Sequence, residues 1–170
     1  MWNLLKIFCV IIILMTASMA LAGGYQYKKI DDFNTLAFYK SIDEFEASYK
    51  KYVQSCLDDT GGGTGAVTCF IGYEMWDREL NIYYNKLMKI LGAKEQNLLE
   101  ESQLAWIKER DASIIFNSQL LDNKYTEPGT MYVAMRAGDV DNMMTPVVKQ
   151  RALILKNWYE FVRHNFKHNK

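Results

Sequence analysis

Val148, Ala152, Leu155, Tyr159, Val162 and Phe166 recur at an unbroken 4-3-4-3-4 spacing near the end of the chain. That period follows the 3.6 residues of an α-helical turn and puts all six side chains on one face, so the segment reads as a helix with an apolar stripe to bury. Nowhere in the sequence does apolar–polar alternation run beyond four residues, which leaves little basis for a sheet. Only two prolines interrupt 170 residues. The fold class expected is all-α, a helical bundle of three to four main helices in one domain.

The remaining helices are read from the same periodicity. Ser41-Ile-Asp-Glu44 is a capping box, in which hydroxyl and carboxylate satisfy orphan amides of a first turn. The helix it opens carries Phe45, Tyr49, Tyr52, Val53 and Cys56 as a stripe, and Asp58 to Gly65 stops it. A second helix is expected from about Ala66 to Leu91, with Cys69, Tyr73, Trp76, Leu80, Tyr83 or Tyr84, and Leu87 facing inward. Gly92 is expected to end it in the left-handed conformation. A third runs from about Lys94 to Leu121, with Leu98, Leu99, Ala105, Trp106, Ile115 and Phe116 as inward candidates. Asn123 to Gly129 is a turn and Met131–Ala137 a short helical segment. Thr145-Pro146 then supplies an N-cap and first-turn proline for the last helix.

The first 22 residues read as an export signal. Lys6 gives a positive start, Ile7 to Met15 form an apolar run of nine residues, and Ala20-Leu-Ala22 offers a cleavage pattern of small residues. Nine apolar residues are too few to span a bilayer, so no stable membrane anchor is expected after cleavage. Residues 23–40 are expected to be a loose lead-in and 41–170 a single helical domain, in a periplasmic or secreted protein. Loss of residues 1–22 removes Lys6 and no acid, leaving 19 basic against 20 acidic side chains. A neutral chain lacks the basic excess that phosphate backbones demand, so no nucleic-acid partner is expected.

Cleavage also removes Cys9 and leaves an even pair, Cys56 and Cys69. In an oxidising compartment such a pair reads as a disulfide across the glycine-rich turn, the alternative being two buried free thiols. No metal or other cofactor is expected: two cysteines without a nearby histidine do not complete a zinc site, and His164 and His168 have no third ligand in sight. Gly61-Gly-Gly-Thr-Gly65 lacks the Lys-Ser/Thr of a phosphate loop. No nucleophile elbow, zinc-protease helix or dinucleotide fingerprint occurs. The carboxylate pairs Asp58/Asp59, Glu100/Glu101 and Asp139/Asp141 show no burial signal that would tune a general acid. The chain is expected to have no catalytic residues.

One polar constellation is more informative. Gln103, Trp106 and Arg110 share a helix face, and Arg110 is within reach of the Trp106 ring. Asp77 and Asn81 lie one turn apart on the preceding helix. An antiparallel pair would set these groups against one another as a clasp fixing helix register. Asp77-Arg-Glu-Leu-Asn81 followed by Tyr84 and Leu87, then Gln103-Leu-Ala-Trp-Ile-Lys-Glu-Arg-Asp-Ala112, resembles the lysozyme inhibitor LprI-like N-terminal domain family. The resemblance covers roughly Cys56 to Leu155. It implies that Cys56 and Cys69 correspond to the family's first disulfide and that Leu80, Asn81, Gln103, Trp106, Arg110 and Asp111 are signature positions. A second cysteine pair common in the family is missing, with Ser113 and Ile114 in one region and no cysteine from Ala137 to Met144.

The family implies an exported, non-enzymatic binding protein, with a cell-wall hydrolase such as lysozyme as the partner. An envelope structural or adaptor protein, or an immunity protein against a delivered toxin, is the alternative expectation.

Overall fold

The computed structural model describes residues 27–167. The expected export signal, Gly23 to Gln26 and His168 lie outside them. The architecture is all-α: α1 (Ile42–Thr60), α2 (Gly72–Ile90), α3 (Ala93–Lys124) and α4 (Thr130–Lys167), with 3-10 segments at Ile30–Asp32, Leu36–Phe38 and Gly63–Cys69. The helices run up and down. Glu46 of α1 meets Lys149 of α4, Gly72 of α2 lies against Asp141, and Gln103 of α3 meets Arg151. Cys56 and Cys69 form a disulfide, Cα atoms 5.6 Å apart, joining α1 to the segment that leads into α2.

The predicted stripes form the core. Phe45, Tyr49 and Cys56 of α1, Trp76, Leu80, Tyr83 and Leu87 of α2, and Val148, Ala152 and Leu155 of α4 are all buried. Phe45 is its aromatic centre, edge-on to Trp76 at 5.1 Å and to Tyr49 at 5.5 Å between ring centroids. Ser41 caps α1 as the sequence indicated, its Oγ accepting from Glu44 N at 3.1 Å while Glu44 accepts from Lys40 N. Gly61 ends α1 at φ 61°, where the left-handed backbone favours glycine.

Several boundaries differ from the expectation, each for a tertiary reason. The stretch from Ala66 is not continuous α-helix: a 3-10 segment ends at Cys69, and α2 starts only at Gly72. There the Asp141 carboxylate, reaching across from α4, accepts from Tyr73 N at 2.8 Å and satisfies a first-turn amide that helix geometry leaves orphaned. Gly92 is not a left-handed stop. It is extended (φ −73°, ψ 165°) and is the N-cap of α3, its carbonyl accepting from Gln96 N. The Met131–Ala137 segment and the last helix are one 38-residue helix with Pro146 inside it. Proline offers no N–H to the carbonyl one turn earlier, but burial of Met144, Val148 and Ala152 on either side holds the helix through that gap.

The lead-in is ordered from residue 27 onwards instead of loose. Arg78 donates to the carbonyls of Ile30 at 2.7 Å, Phe33 at 2.8 Å and Asn34 at 2.9 Å, strapping the segment to α2. Leu36 is buried in the core beneath it. A further correction concerns α3, where Leu99 is buried but Leu98, Ile115 and Phe116 are exposed. The candidates at 98, 99, 105, 106, 115 and 116 do not repeat at one helical period, so no single face carries them all. At 1.5 Å per residue, α3 and α4 are far longer than the 19-residue α1 and α2. Their outer halves pair as a two-helix arm, covered on the α4 side where Gly63 lies against Thr130 and Phe70 against Gly138, and open to solvent along α3 at Ile115 and Phe116.

Candidate functional site

Two polar assemblies and one apolar surface stand out on this frame. The first lies in a groove of about 670 Å³ between α1 and α4. Glu46 is one residue from the buried Phe45 and so sits at the edge of the α1 stripe. Its Oε1 accepts from Lys149 Nζ at 2.8 Å and from Trp76 Nε1 at 3.3 Å, and Trp76 Nε1 also donates to the Tyr49 hydroxyl at 3.2 Å. The Lys149 ammonium lies 5.4 Å from the centroid of the Trp76 ring. Burial pushes the Glu46 carboxyl up, but the Lys149 hydrogen bond and the Lys149 and Lys50 charges outweigh it and hold it below the usual range. Burial and the Glu46 charge push the Tyr49 hydroxyl well above its ordinary value, so it remains a neutral donor.

Asp141 closes one end of this groove. Burial pushes its carboxyl up, against hydrogen bonds from Tyr73 N, Thr145 Oγ1 and Gly72 N that pull it down. A raised carboxylate in a cleft has the look of a general acid. Here its acceptor positions are occupied by the first turn of α2 and by Thr145, which makes it a helix cap. It is nonetheless the enclosed carboxylate that sequence reasoning did not find in the Asp139/Asp141 pair. Asp139 pairs with Lys124 and the Tyr125 hydroxyl on the arm, and Asp58, Asp59, Glu100 and Glu101 are exposed.

The second assembly holds the signature residues of α3. The Arg110 guanidinium lies 5.4 Å from the Trp106 ring centroid and pairs with Asp111 at 2.7 Å. It is also in the field of Tyr73 and Asp77 across the α2–α3 hairpin. Asn81 does not cross to α3, because its amide returns to the Asp77 carbonyl at 2.9 Å and carboxylate at 3.0 Å. Gln103 faces α4, its Oε1 accepting from Arg151 Nε at 2.9 Å, with Ser102 Oγ accepting from the same guanidinium at 3.1 Å. Arg151 is 6 % exposed and clamped between Trp106 (5.9 Å) and Trp158 (5.4 Å). The four-residue clasp expected between α2 and α3 is therefore divided: Arg110 faces α2, while Gln103 joins α3 to α4 through Arg151. Leu80 is plain core.

Arg151 was legible in principle. It falls three residues after Val148 and four before Leu155, inside the α4 stripe, and a charge at a stripe position needs a buried partner.

The surface is the arm. Ile115 and Phe116 of α3 are 72 % and 64 % exposed, and Met131 of α4 is 59 % exposed, with Leu120, Val133 and Met135 also open to solvent. The arm is crosslinked by polar contacts. Arg136 reaches Asp122 at 2.8 Å and Ser118 at 3.2 Å, and Lys124 and Tyr125 meet Asp139. Asn117 Nδ2 lies 3.0 Å from Met144 Sδ. His164 is exposed near the end of α4, and no group of three or more metal-ligating side chains occurs among the described residues. No helix among the described residues is long and apolar enough to cross a membrane.

Comparison with curated proteins and with solved structures gives no match. A family comparison does: residues 64–151 match the family described as lysozyme inhibitor LprI. The match starts in the 3-10 segment, spans α2, α3 and the arm, and ends at the clamped Arg151. By this match over half its length, carried by the same elements that build the α2–α3–α4 body, the chain belongs to the lysozyme inhibitor LprI family.

Proposed function

We propose that the protein is exported and acts without catalysis, by binding and blocking a cell-wall hydrolase of the lysozyme type. Membership of the lysozyme inhibitor LprI family is the observation that carries this reading. The amino-terminal 22 residues, with their apolar run and Ala-Leu-Ala end, support export, as does the Cys56–Cys69 disulfide. The polar assemblies support a non-enzymatic role, since Asp141, Glu46 and Arg151 each have structural partners that fix helix ends and helix register. The signature residues Asp77, Asn81, Gln103, Trp106, Arg110 and Asp111 are on this reading a scaffold, and the partner meets the molecule elsewhere.

The arm is the surface best suited to that partner. Large apolar side chains exposed together on a small domain mark interaction sites more often than chance exposure does. Methionine and phenylalanine are the residue types enriched at such interfaces. The test is complex formation: the mature chain is mixed with a panel of lysozymes and run on a sizing column, beside the Ile115→Asp/Phe116→Asp variant. A co-eluting complex for the parent, reduced at least tenfold in affinity for the variant at unchanged melting temperature, is expected. No complex with any lysozyme at micromolar concentration would refute the reading. A complex indifferent to both substitutions would refute the arm as its surface.

A further inference from the structure

A second concavity, of about 520 Å³, lies between the lead-in, α2 and the C-terminal part of α4, beside the start of α1. Its walls carry Lys40, Lys86, Lys156 and Arg163 together with Tyr83 and Tyr159. The lining contains one carboxylate, Glu160, and Lys156 already holds it at 2.5 Å. Among the described residues, Lys40, Lys86 and Arg163 make no ion pair with a carboxylate. Glu79 lies deeper, buried and bound by Arg78, where it contributes to the field at Lys86 without reaching it. In a chain with equal numbers of acidic and basic residues, this is a local excess of positive charge.

The cations are set against ring faces. Lys86 Nζ stands 4.8 Å from the Tyr83 centroid and 5.6 Å from that of Tyr159, and the Arg163 guanidinium carbon 5.8 Å from Tyr159. The two rings are 6.1 Å apart and inclined at 54°; Tyr83 is buried behind, and the half-buried Tyr159 is the ring that reaches the wall. Burial, with the Glu79 and Glu160 charges, pushes the Tyr83 hydroxyl up to about 12, so at neutral pH it remains a donor. A concave site with aromatic walls, hydroxyl donors and three cations lacking carboxylate partners suits one chemistry: a ring with an apolar face and an acidic substituent. The ring packs against the accessible edge of Tyr159 while the acid accepts charge-assisted hydrogen bonds from Lys86 and Arg163. The cavity size falls in the range of small-ligand sites.

We infer that this concavity binds an acidic sugar, a pyranose bearing a carboxylate or a phosphate. The inference stands apart from the lysozyme reading, since it concerns the opposite end of the molecule from the arm. The experiment titrates isotope-labelled mature protein with N-acetylmuramic acid and with N-acetylglucosamine 1-phosphate, following the amide signals of Lys86, Tyr83, Tyr159 and Arg163. N-acetylglucosamine and inorganic phosphate serve as the neutral-ring and ring-free comparators. The expected result is saturable binding of at least one acidic sugar, ten times tighter or more than either comparator. Which acid binds distinguishes carboxylate from phosphate. Lys86→Gln/Arg163→Gln should weaken that binding at least tenfold, and the surface variant Lys40→Gln by a smaller factor, both with an unchanged amide spectrum elsewhere. Acidic sugars binding no better than N-acetylglucosamine, phosphate binding as well as they do, or unchanged affinity in the double variant would each overturn the inference.

Discussion

Glu46 and Asp141 face the same groove yet respond to pH in opposite directions. The folded value of Glu46 is lowered, so its contribution is present above the ordinary glutamate range and is lost as pH falls through the lowered value. Burial raises Asp141, so its contribution is fullest when it is protonated and declines as pH rises from the ordinary aspartate range through the raised value. Glu46→Gln is expected to cost about 1–2 kcal/mol at neutral pH by weakening the bonds from Lys149 and Trp76. It should also flatten the acid limb, so that urea midpoints of variant and parent converge as pH falls. Equal midpoints at pH 7 would show that the pair contributes nothing. Gly72 is fixed by the same carboxylate: a Cβ there would stand 2.7 Å from an Asp141 oxygen and 2.9 Å from Thr145 Oγ1. Gly72→Ala is expected to cost about 1–3 kcal/mol by pushing Asp141 off the α2 amides, measured by thermal unfolding. Spacing alone identified Trp106 with Arg110, because one turn of one helix fixes their distance. It did not identify Gln103 with Arg151, 48 positions apart, since only the packed bundle decides which faces meet.

At the level of elements, helix identity was legible, as were both ends of α1, whereas the boundaries of α2 and α4 were not. The α1, α2 and α4 stripes follow the 3.6-residue period, and nearly every residue named in them is buried or half-buried. The α2 and α4 boundaries are set by distant groups: Asp141 defers the start of α2, and burial on both sides of Pro146 carries α4 through a residue that reads locally as a start signal. Pro146→Ala restores an N–H to the carbonyl of Asn142, and a gain of about 1–3 kcal/mol in unfolding free energy is expected. A loss would mean that the proline rigidifies the unfolded chain more than it disturbs the helix. The disulfide joins residues 13 apart and closes the turn between α1 and α2. Reduction is expected to lower stability by about 3 kcal/mol, and Cys56→Ser/Cys69→Ser should lose the same amount and become insensitive to reductant.

The whole molecule separates support from exposure. One end buries an aromatic core under a strapped lead-in, while the arm presents isoleucine, phenylalanine and methionine to solvent and is held by ion pairs. The family resemblance was legible because its motifs lie on two adjacent helices at fixed spacing, and the match over residues 64–151 includes that stretch. The arm surface was not legible, because Ile115 and Phe116 read as core until helix lengths showed that nothing covers them. A near-neutral chain supplies little long-range steering, so binding through the arm should depend only weakly on salt. The most direct measurement is the rate of bacterial cell-wall lysis by a responsive lysozyme, titrated with the mature protein. The rate should fall to baseline at about one equivalent, with the same titration end-point in low and moderate salt, and should be restored by Ile115→Asp/Phe116→Asp. Undiminished lysis at micromolar excess across a panel of lysozymes would contradict the account.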